Sequence, residues 1–133
     1  HMAERVKIEV GSAYPMEQAK TMMVKGRDMI SGIPRTVVVN DSEIREALED
    51  PIHSIVNALR TALENTPPEL AGDIIDKGVV ITGGGSLLPG LAPRFQEETN
   101  IPIITVEDPL TSVVYGVGKV LDEIELFRKV EKF

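Results

Sequence analysis

The apolar positions change rhythm several times along the chain. Ala3-Glu4-Arg5-Val6-Lys7-Ile8-Glu9-Val10 spaces its apolar residues as a helix does, and Gly11 follows as a C-terminal signal. This predicts a short helix over residues 3–10. Ser12–Lys20 contains Tyr14-Pro15 and reads as a loop. Thr21–Gly26 predicts a strand, with Met22 and Met23 facing opposite ways, one toward the core and one toward solvent. Asp28–Pro34 holds Gly32 and Pro34 and turns the chain back. Arg35-Thr36-Val37-Val38-Val39 is β-branched after its first residue and predicts a strand that pairs antiparallel with the one before it.

Helical spacing then takes over. Asn40-Asp41-Ser42 is a cluster of capping residues before Glu43–Leu48, and Asp50-Pro51 predicts a second cap with Pro at the first position of a new helix. That helix carries Ile52, Ile55, Val56, Leu59, Ala62 and Leu63 on one face and stops at Asn65-Thr66-Pro67-Pro68. Pro68–Lys77 is a further short helix closed by Gly78.

From residue 79 strands and helices alternate. Val79–Thr82 is a strand, Gly83-Gly84-Gly85 a turn, and roughly Pro89–Glu98 a helix ended by Asn100. Ile101–Val106 is the next strand. Asp108-Pro109 is expected to cap a long helix that buries Leu110, Val113, Val114, Val117, Val120, Leu121 and Ile124, and Glu125–Phe133 continues or follows it. Gly116 and Gly118 inside this helix each cost about 1 kcal/mol relative to Ala, which close packing against another backbone would explain. Residues 79–124 therefore predict a β-α-β-α unit with parallel strands and a right-handed crossover. Two strands are too few for a complete α/β sheet. Either further strands lie outside this sequence or the chain assembles with another copy. No natural cap precedes Ala3 and His1-Met2 reads as a cloning remnant, so the chain is expected to be an excised piece of a larger protein.

The bulk numbers narrow the function. The 133 residues are 42% hydrophobic and 26% charged, with 21 acidic against 14 basic residues and a net charge of −7. No basic block exceeds two residues, which argues against nucleic acid as a partner. The sequence has no cysteine, which excludes disulfides and thiolate metal sites. No apolar run approaches a membrane span and no signal peptide is visible, so a cytoplasmic location is expected.

The glycine turn is the main candidate for chemistry. It places bare backbone at the carboxyl end of a strand, where α/β proteins bind ligands, and the first amides of a following helix would be free to meet a polar group. A phosphate loop of the Walker type is rejected, because Leu91 stands where the lysine after Gly90 would be needed. A dinucleotide fingerprint is matched in part by Gly83 and Gly85, with Glu107 or Asp108 as the acidic residue and Leu88 in place of the third glycine. This leaves open a dinucleotide-binding piece of an oxidoreductase, and equally a purely structural turn in a non-catalytic interaction module. Glu4 and Lys7 lie one turn apart on the first helix and could hold a ribose and a base edge, or simply pair with each other. His53 reads as surface polar. The neighbours Glu97-Glu98 and Asp122-Glu123 point in different directions and make poor acid/base pairs. There is no nucleophile-base-acid set and no metal-ligand spacing.

Several longer stretches carry a resemblance. They are Ala3–Glu9 with Gly11-Ser12-Ala13-Tyr14-Pro15, Thr66-Pro67-Pro68-Glu69-Leu70, Ile81–Leu88, Glu97–Pro102 and Glu107–Thr111. Together they resemble the C-terminal part of the MreB family of bacterial actin-like cell-shape proteins, including the paralogue Mbl. The resemblance implies an α/β fold, a fragment of the actin-like ATPase domain (ribonuclease H-like), with the β-α-β-α unit joined to a small antiparallel sheet with helices. It implies that residues 3–50 correspond to the small subdomain IIB and residues 51–133 to part of IIA. The family's Glu-Arg-x-Lys segment contacts the nucleoside and falls on Glu4, Arg5, Val6 and Lys7. Its glycine turn does likewise and falls on Gly84, Gly85, Ser86 and Leu87.

The resemblance also implies ATP as cofactor, with magnesium in the intact protein, self-assembly into filaments at the inner face of the cell membrane, and a role in cell shape and cell-wall synthesis. RodZ and the cell-wall elongation machinery are the implied partners. Membrane contact is implied for the N-terminal half, which this sequence does not include. The family's D-x-G-T and D-x-G-G-G-T phosphate loops do not occur here, and no water-activating Glu is identifiable. The intact protein is accordingly expected to hydrolyse ATP and polymerise, and this chain alone to do neither.

Overall fold

The computed structural model describes residues 1–125 and 128. Helix α1 (Met2–Val10) is followed by an antiparallel hairpin, β1 (Thr21–Arg27) and β2 (Pro34–Asn40). Then come α2 (Asp41–Glu64), α3 (Pro68–Lys77), β3 (Val79–Ile81), a 3-10 turn over Gly84–Leu87, α4 (Leu91–Thr99), β4 (Ile103–Thr105) and α5 (Ser112–Asp122). The hairpin register pairs Met22 with Val39 and Val24 with Val37, and one face of it turns toward the helices. Strands β3 and β4 pair in parallel, Val80 opposite Ile104, as the alternation of strand and helix predicted.

The predicted break at Asp50-Pro51 is not there. Residues 41–64 form a single helix of 24 residues with Pro51 inside it. Proline has no N–H, so the carbonyl of Ala47 loses its helical donor. The apolar face nevertheless runs in phase through Ile44, Leu48, Ile52, Val56 and Leu59, and burial of Ile52 and Val56 outweighs the lost bond. The N-terminus is a capping box: the Asn40 side chain accepts from the Glu43 amide at 3.0 Å, and Glu43 accepts from the Asn40 amide at 2.9 Å. The expected subdomain division at residue 50 falls within this helix.

Gly11 ends α1 as expected, in an extended conformation (φ −63°), and a β carbon there would collide with the Lys7 carbonyl. Two smaller expectations change. Helix α4 begins at Leu91, beyond Pro89, with Gly90 as its cap. Helix α5 begins at Ser112 rather than directly after Pro109.

The core joins Ala13, Ile52, Val56, Leu91 and Phe95, with Leu48, Ile81, Leu88 and Ile103 packed against it. It lies between α2, α4 and one face of β3–β4. A second tie between α2 and α4 is ionic: Arg94 reaches Glu49 at 2.5 Å and Glu98 at 3.1 Å, and Arg60 reaches Glu98 at 2.9 Å. The expected burial of α5 does not occur. None of its residues is buried, and Val113, Val114 and Leu121 are more than half exposed. Nothing lies within 4 Å of a β carbon built on Gly116 or Gly118, so close packing does not account for them among the described residues. The expectation for residues 125–133 falls outside the described residues, apart from Glu125 and Arg128.

Candidate functional site

The loop between α1 and the first strand sets the geometry of the site. Ser12 is fully buried and its hydroxyl bonds to the Tyr14 carbonyl, which folds residues 12–14 into a tight bend. The Ala13 amide then donates to the Pro89 carbonyl at 2.7 Å. Gly90 completes the junction. Its φ is +77°, and a β carbon there would lie 2.7 Å from the Tyr14 β carbon. Only glycine fits both conditions. The end of α1 is thereby held against the segment that follows the glycine turn.

The turn itself begins at Gly83, whose φ of +84° swings the chain out of β3. The Ser86 amide and hydroxyl both donate to the Gly83 carbonyl, at 3.1 and 2.7 Å. The Gly83 amide donates to the Pro109 carbonyl at 3.0 Å, which ties the turn to the loop after β4. The turn does not run directly into a helix. Leu88-Pro89-Gly90 intervenes, so the free amides of α4 are not at the glycines. This departs from a dinucleotide fingerprint, in which the glycines open the helix.

Between α1 and the turn lies a cavity of about 510 Å³, within the usual range for small-molecule sites. Glu4 and Lys7 line it from α1, and Gly84, Gly85 and Leu87 from the turn. Its remaining walls are apolar: Leu48, Ile52 and Ile55 of α2, and Leu110 after β4. Five of the eight residues singled out from the sequence thus surround one space. The other three lie elsewhere. Arg5 points to solvent and pairs with Glu9 at 2.6 Å. Val6 is buried and lines a separate apolar cavity between α1, the hairpin and α2. The Ser86 hydroxyl is turned back onto Gly83.

The α2 wall and Leu110 were not singled out from the sequence as site residues. Ile52 and Ile55 were assigned to a core face, but that face is wider than the core. Ile52 is buried while Ile55 stays about half exposed on the cavity side. Pro51 also borders the cavity. A proline kept inside a strongly amphipathic helix was the available signal.

The cavity's chemistry is lopsided. One carboxylate and one ammonium stand on α1, the glycine backbone is open opposite them, and everything between is apolar. Such a space suits a flat ring with polar edges. Glu4 can accept from hydroxyl or amino groups and Lys7 can donate to a ring nitrogen or hydroxyl, while Leu87 and Ile55 offer apolar surface to the ring faces. Among the described residues Lys7 is the only cation lining the cavity, which makes it a poor site for a polyphosphate. Among the described residues no group of three His, Cys, Asp or Glu side chains could hold a metal ion, and no helix is long and apolar enough to cross a membrane.

Comparison with known proteins places the chain in a family. A family model described as MreB/Mbl protein matches residues 1–129. The cell shape-determining protein MreB of Escherichia coli (strain K12) is 49% identical over 124 residues, which is 93% of this chain and 36% of that protein. The cell shape-determining protein Mbl of Bacillus subtilis (strain 168) is 45% identical over 127 residues, 96% of this chain and 38% of that protein. The crystal structure of MreB5 of Spiroplasma citri bound to ADP superposes with a TM-score of 0.89 at 32% identity, covering 98% of this chain and 39% of that one. The same protein bound to AMPPNP also gives 0.89, covering 95% and 38%. The chain therefore spans little more than a third of the relatives it matches. The fold is that of the actin-like proteins, and the chain belongs to the MreB/Mbl protein family.

Proposed function

We propose that this chain forms the nucleoside side of the nucleotide site in a bacterial actin-like, filament-forming ATPase that determines cell shape. The observation that carries the reading is the meeting of Glu4 and Lys7 with Gly84 and Gly85 around one apolar-walled cavity. The ADP and AMPPNP complexes of the structurally similar MreB5 support it. Adenine would lie between Leu87 and the α2 wall, with the ribose hydroxyls on Glu4 and Lys7 at its edge. Arg5, Val6 and Ser86 would act indirectly, by fixing the helix and the turn that carry the contacting residues.

The phosphates and their magnesium would be bound by D-x-G-T-type loops, which this sequence lacks. This chain alone would therefore hold a nucleoside weakly and cleave nothing. In the longer protein, residues 3–50 would act as the smaller subdomain and residues 51–133 as part of the larger one. Polymerisation beneath the cell membrane and contact with RodZ and the wall-building machinery would be properties of that longer protein.

Calorimetric titration with adenosine, AMP, ADP and NAD tests the reading. The expected result is weak binding of the three adenosine ligands with nearly equal affinity, since only the shared nucleoside makes contacts. Tighter binding of NAD than of adenosine, or binding that strengthens with each added phosphate, would overturn it.

A further inference from the structure

The bend at residues 12–14 is also held from the first turns of α2. Asp41, the first residue of that helix, is buried, a state in which a carboxylate is rarely found unless paired. Its partner is Arg45, one turn on, whose Nη1 donates to it at 3.2 Å. The two side chains are only 19% and 8% exposed, so this is not the usual solvated pair at helical spacing. The contacts extend beyond the pair. The same Arg45 nitrogen donates to the Tyr14 carbonyl at 3.2 Å and lies 3.5 Å from the Ser12 hydroxyl. The other Asp41 oxygen accepts from the Lys20 amide at 3.2 Å, and the Asp41 amide donates to the Lys20 carbonyl at 3.0 Å. Both ends of the loop joining α1 to β1 are thus fastened to one carboxylate–guanidinium pair.

We propose that Arg45, braced by Asp41, is a positioning residue for the cavity between α1 and the glycine turn, a role that rests on that cavity being a nucleoside site. Arg45 does not line the cavity. It acts through the bend. Its hold on the Tyr14 carbonyl fixes residues 12–14, which present the Ala13 amide to the Pro89 carbonyl and seat Tyr14 against Gly90. On one side the bend runs directly into Gly11 and α1, which carries Glu4 and Lys7. On the other, Pro89 and Gly90 follow the glycine turn. The spacing of the two walls is therefore set by a guanidinium that belongs to neither. Without Arg45, Asp41 is a buried carboxylate lacking its cation, and the Tyr14 carbonyl keeps only the Ser12 hydroxyl. The bend loosens, while the core around Val56 and Phe95 lies outside these contacts. All the Arg45 contacts run through one nitrogen, so a lysine ammonium can replace them in part.

The whole 133-residue chain is compared with Arg45→Met, Arg45→Lys and Arg60→Met. Arg60 also projects from α2, and its salt bridge to Glu98 makes no contact with the bend, so it controls for losing an α2 ion pair as such. The first readout needs no ligand: hydrogen exchange at the Ala13 amide relative to that of Val56, which is fully buried and tracks overall stability. Arg45→Met is expected to raise this ratio at least about tenfold and Arg60→Met to leave it unchanged. Arg45→Lys keeps a charge opposite Asp41 and hence the fold, and is expected to raise the ratio by about threefold, its shorter stem serving Asp41 and Tyr14 less well. The second readout is adenosine affinity by calorimetry, expected to fall at least about tenfold in Arg45→Met, less in Arg45→Lys and not at all in Arg60→Met. A parent-like exchange ratio in both Arg45 variants overturns the proposal. So does parent-like adenosine affinity in both, or an equal loss in Arg60→Met. A parent chain that binds no adenosine sinks the nucleoside reading and any role of Arg45 in it, while the Ala13 ratio still decides by itself whether Arg45 sets the bend.

Discussion

The amide of Gly83 donates to the carbonyl of Pro109 at 3.0 Å, and this bond joins the glycine turn to the loop that carries Leu110 into the cavity. The Thr82 hydroxyl approaches the same carbonyl at 3.3 Å and contacts the Ser112 hydroxyl, which itself reaches Pro109 at 3.1 Å. Three donors from two chain segments thus converge on one oxygen. Removing a single hydroxyl is expected to cost about 0.5–1.5 kcal/mol. Thr82→Val and Ser112→Ala should each lower stability by that much in urea denaturation. Both should also weaken adenosine binding several-fold, because the turn and Leu110 then move independently.

Two glycines near the cavity are predicted to behave in opposite ways. Gly90→Ala places a β carbon 2.7 Å from Tyr14 at a φ of +77°, and should destabilise the chain by about 2–3 kcal/mol. Gly85 has open space around it and no positive φ. Gly85→Ala should therefore stay within about 0.5 kcal/mol of the parent in stability, yet impair nucleoside binding because the methyl group projects where the ligand approaches. Denaturation and calorimetry on the same two variants separate folding from binding.

The α2–α4 ion cluster supplies a third prediction. The Arg94 side chain is only 20% exposed and serves both Glu49 and Glu98. Its guanidinium pKa is raised, chiefly by the hydrogen bond to Glu49, so it stays charged at every accessible pH. Arg94→Met removes the partner of two carboxylates and should cost about 1–3 kcal/mol. Glu49→Gln, at a side chain that is nearly half exposed, should cost under about 1 kcal/mol after solvent screening. A double-mutant cycle by thermal or urea unfolding checks both.

Asp28 carries the pH dependence. Its carboxylate accepts from the Ser31 and Ile30 amides at 2.8 and 3.0 Å and faces Arg35 at 3.5 Å. These donors, the Ser31 amide foremost, hold its pKa below the ordinary aspartate value. The folded pKa is depressed, so the turn's stabilisation is present above the unfolded value and lost as pH falls through the folded one. Hydrogen exchange at the Ile30 and Ser31 amides should stay slow at neutral pH and become faster, relative to the intrinsic rate, on acidification through that range. Asp28→Asn should flatten the dependence.

The hairpin, the parallel β3–β4 pair and the two ends of α3 were legible from local pattern, because β-branched runs and Pro/Gly boundaries act over a few residues. Pro51 was misleading for the same reason. Its local signal says helix start, whereas the continuous Ile44–Leu59 face, a longer-range property, decides for one helix. The α5 stripe was read correctly as amphipathic and wrongly as buried, since periodicity reports which face is apolar and not whether anything covers it. At the cavity, Glu4, Lys7 and the glycines could be named in advance. The role of the 12–14 bend in setting their distance could not, because it depends on the Ala13–Pro89 bond between residues 76 positions apart.

The central claim is that the space between α1 and the glycine turn receives a nucleoside. Amide NMR spectra of the chain, titrated with adenosine and with ADP, test it most directly. The account predicts that the same signals move with both ligands, those of Glu4, Lys7, Gly84, Gly85 and Leu87 foremost, and that Gly85→Ala abolishes the response. Saturable shifts confined to other residues, or a response that Gly85→Ala leaves intact, would contradict it.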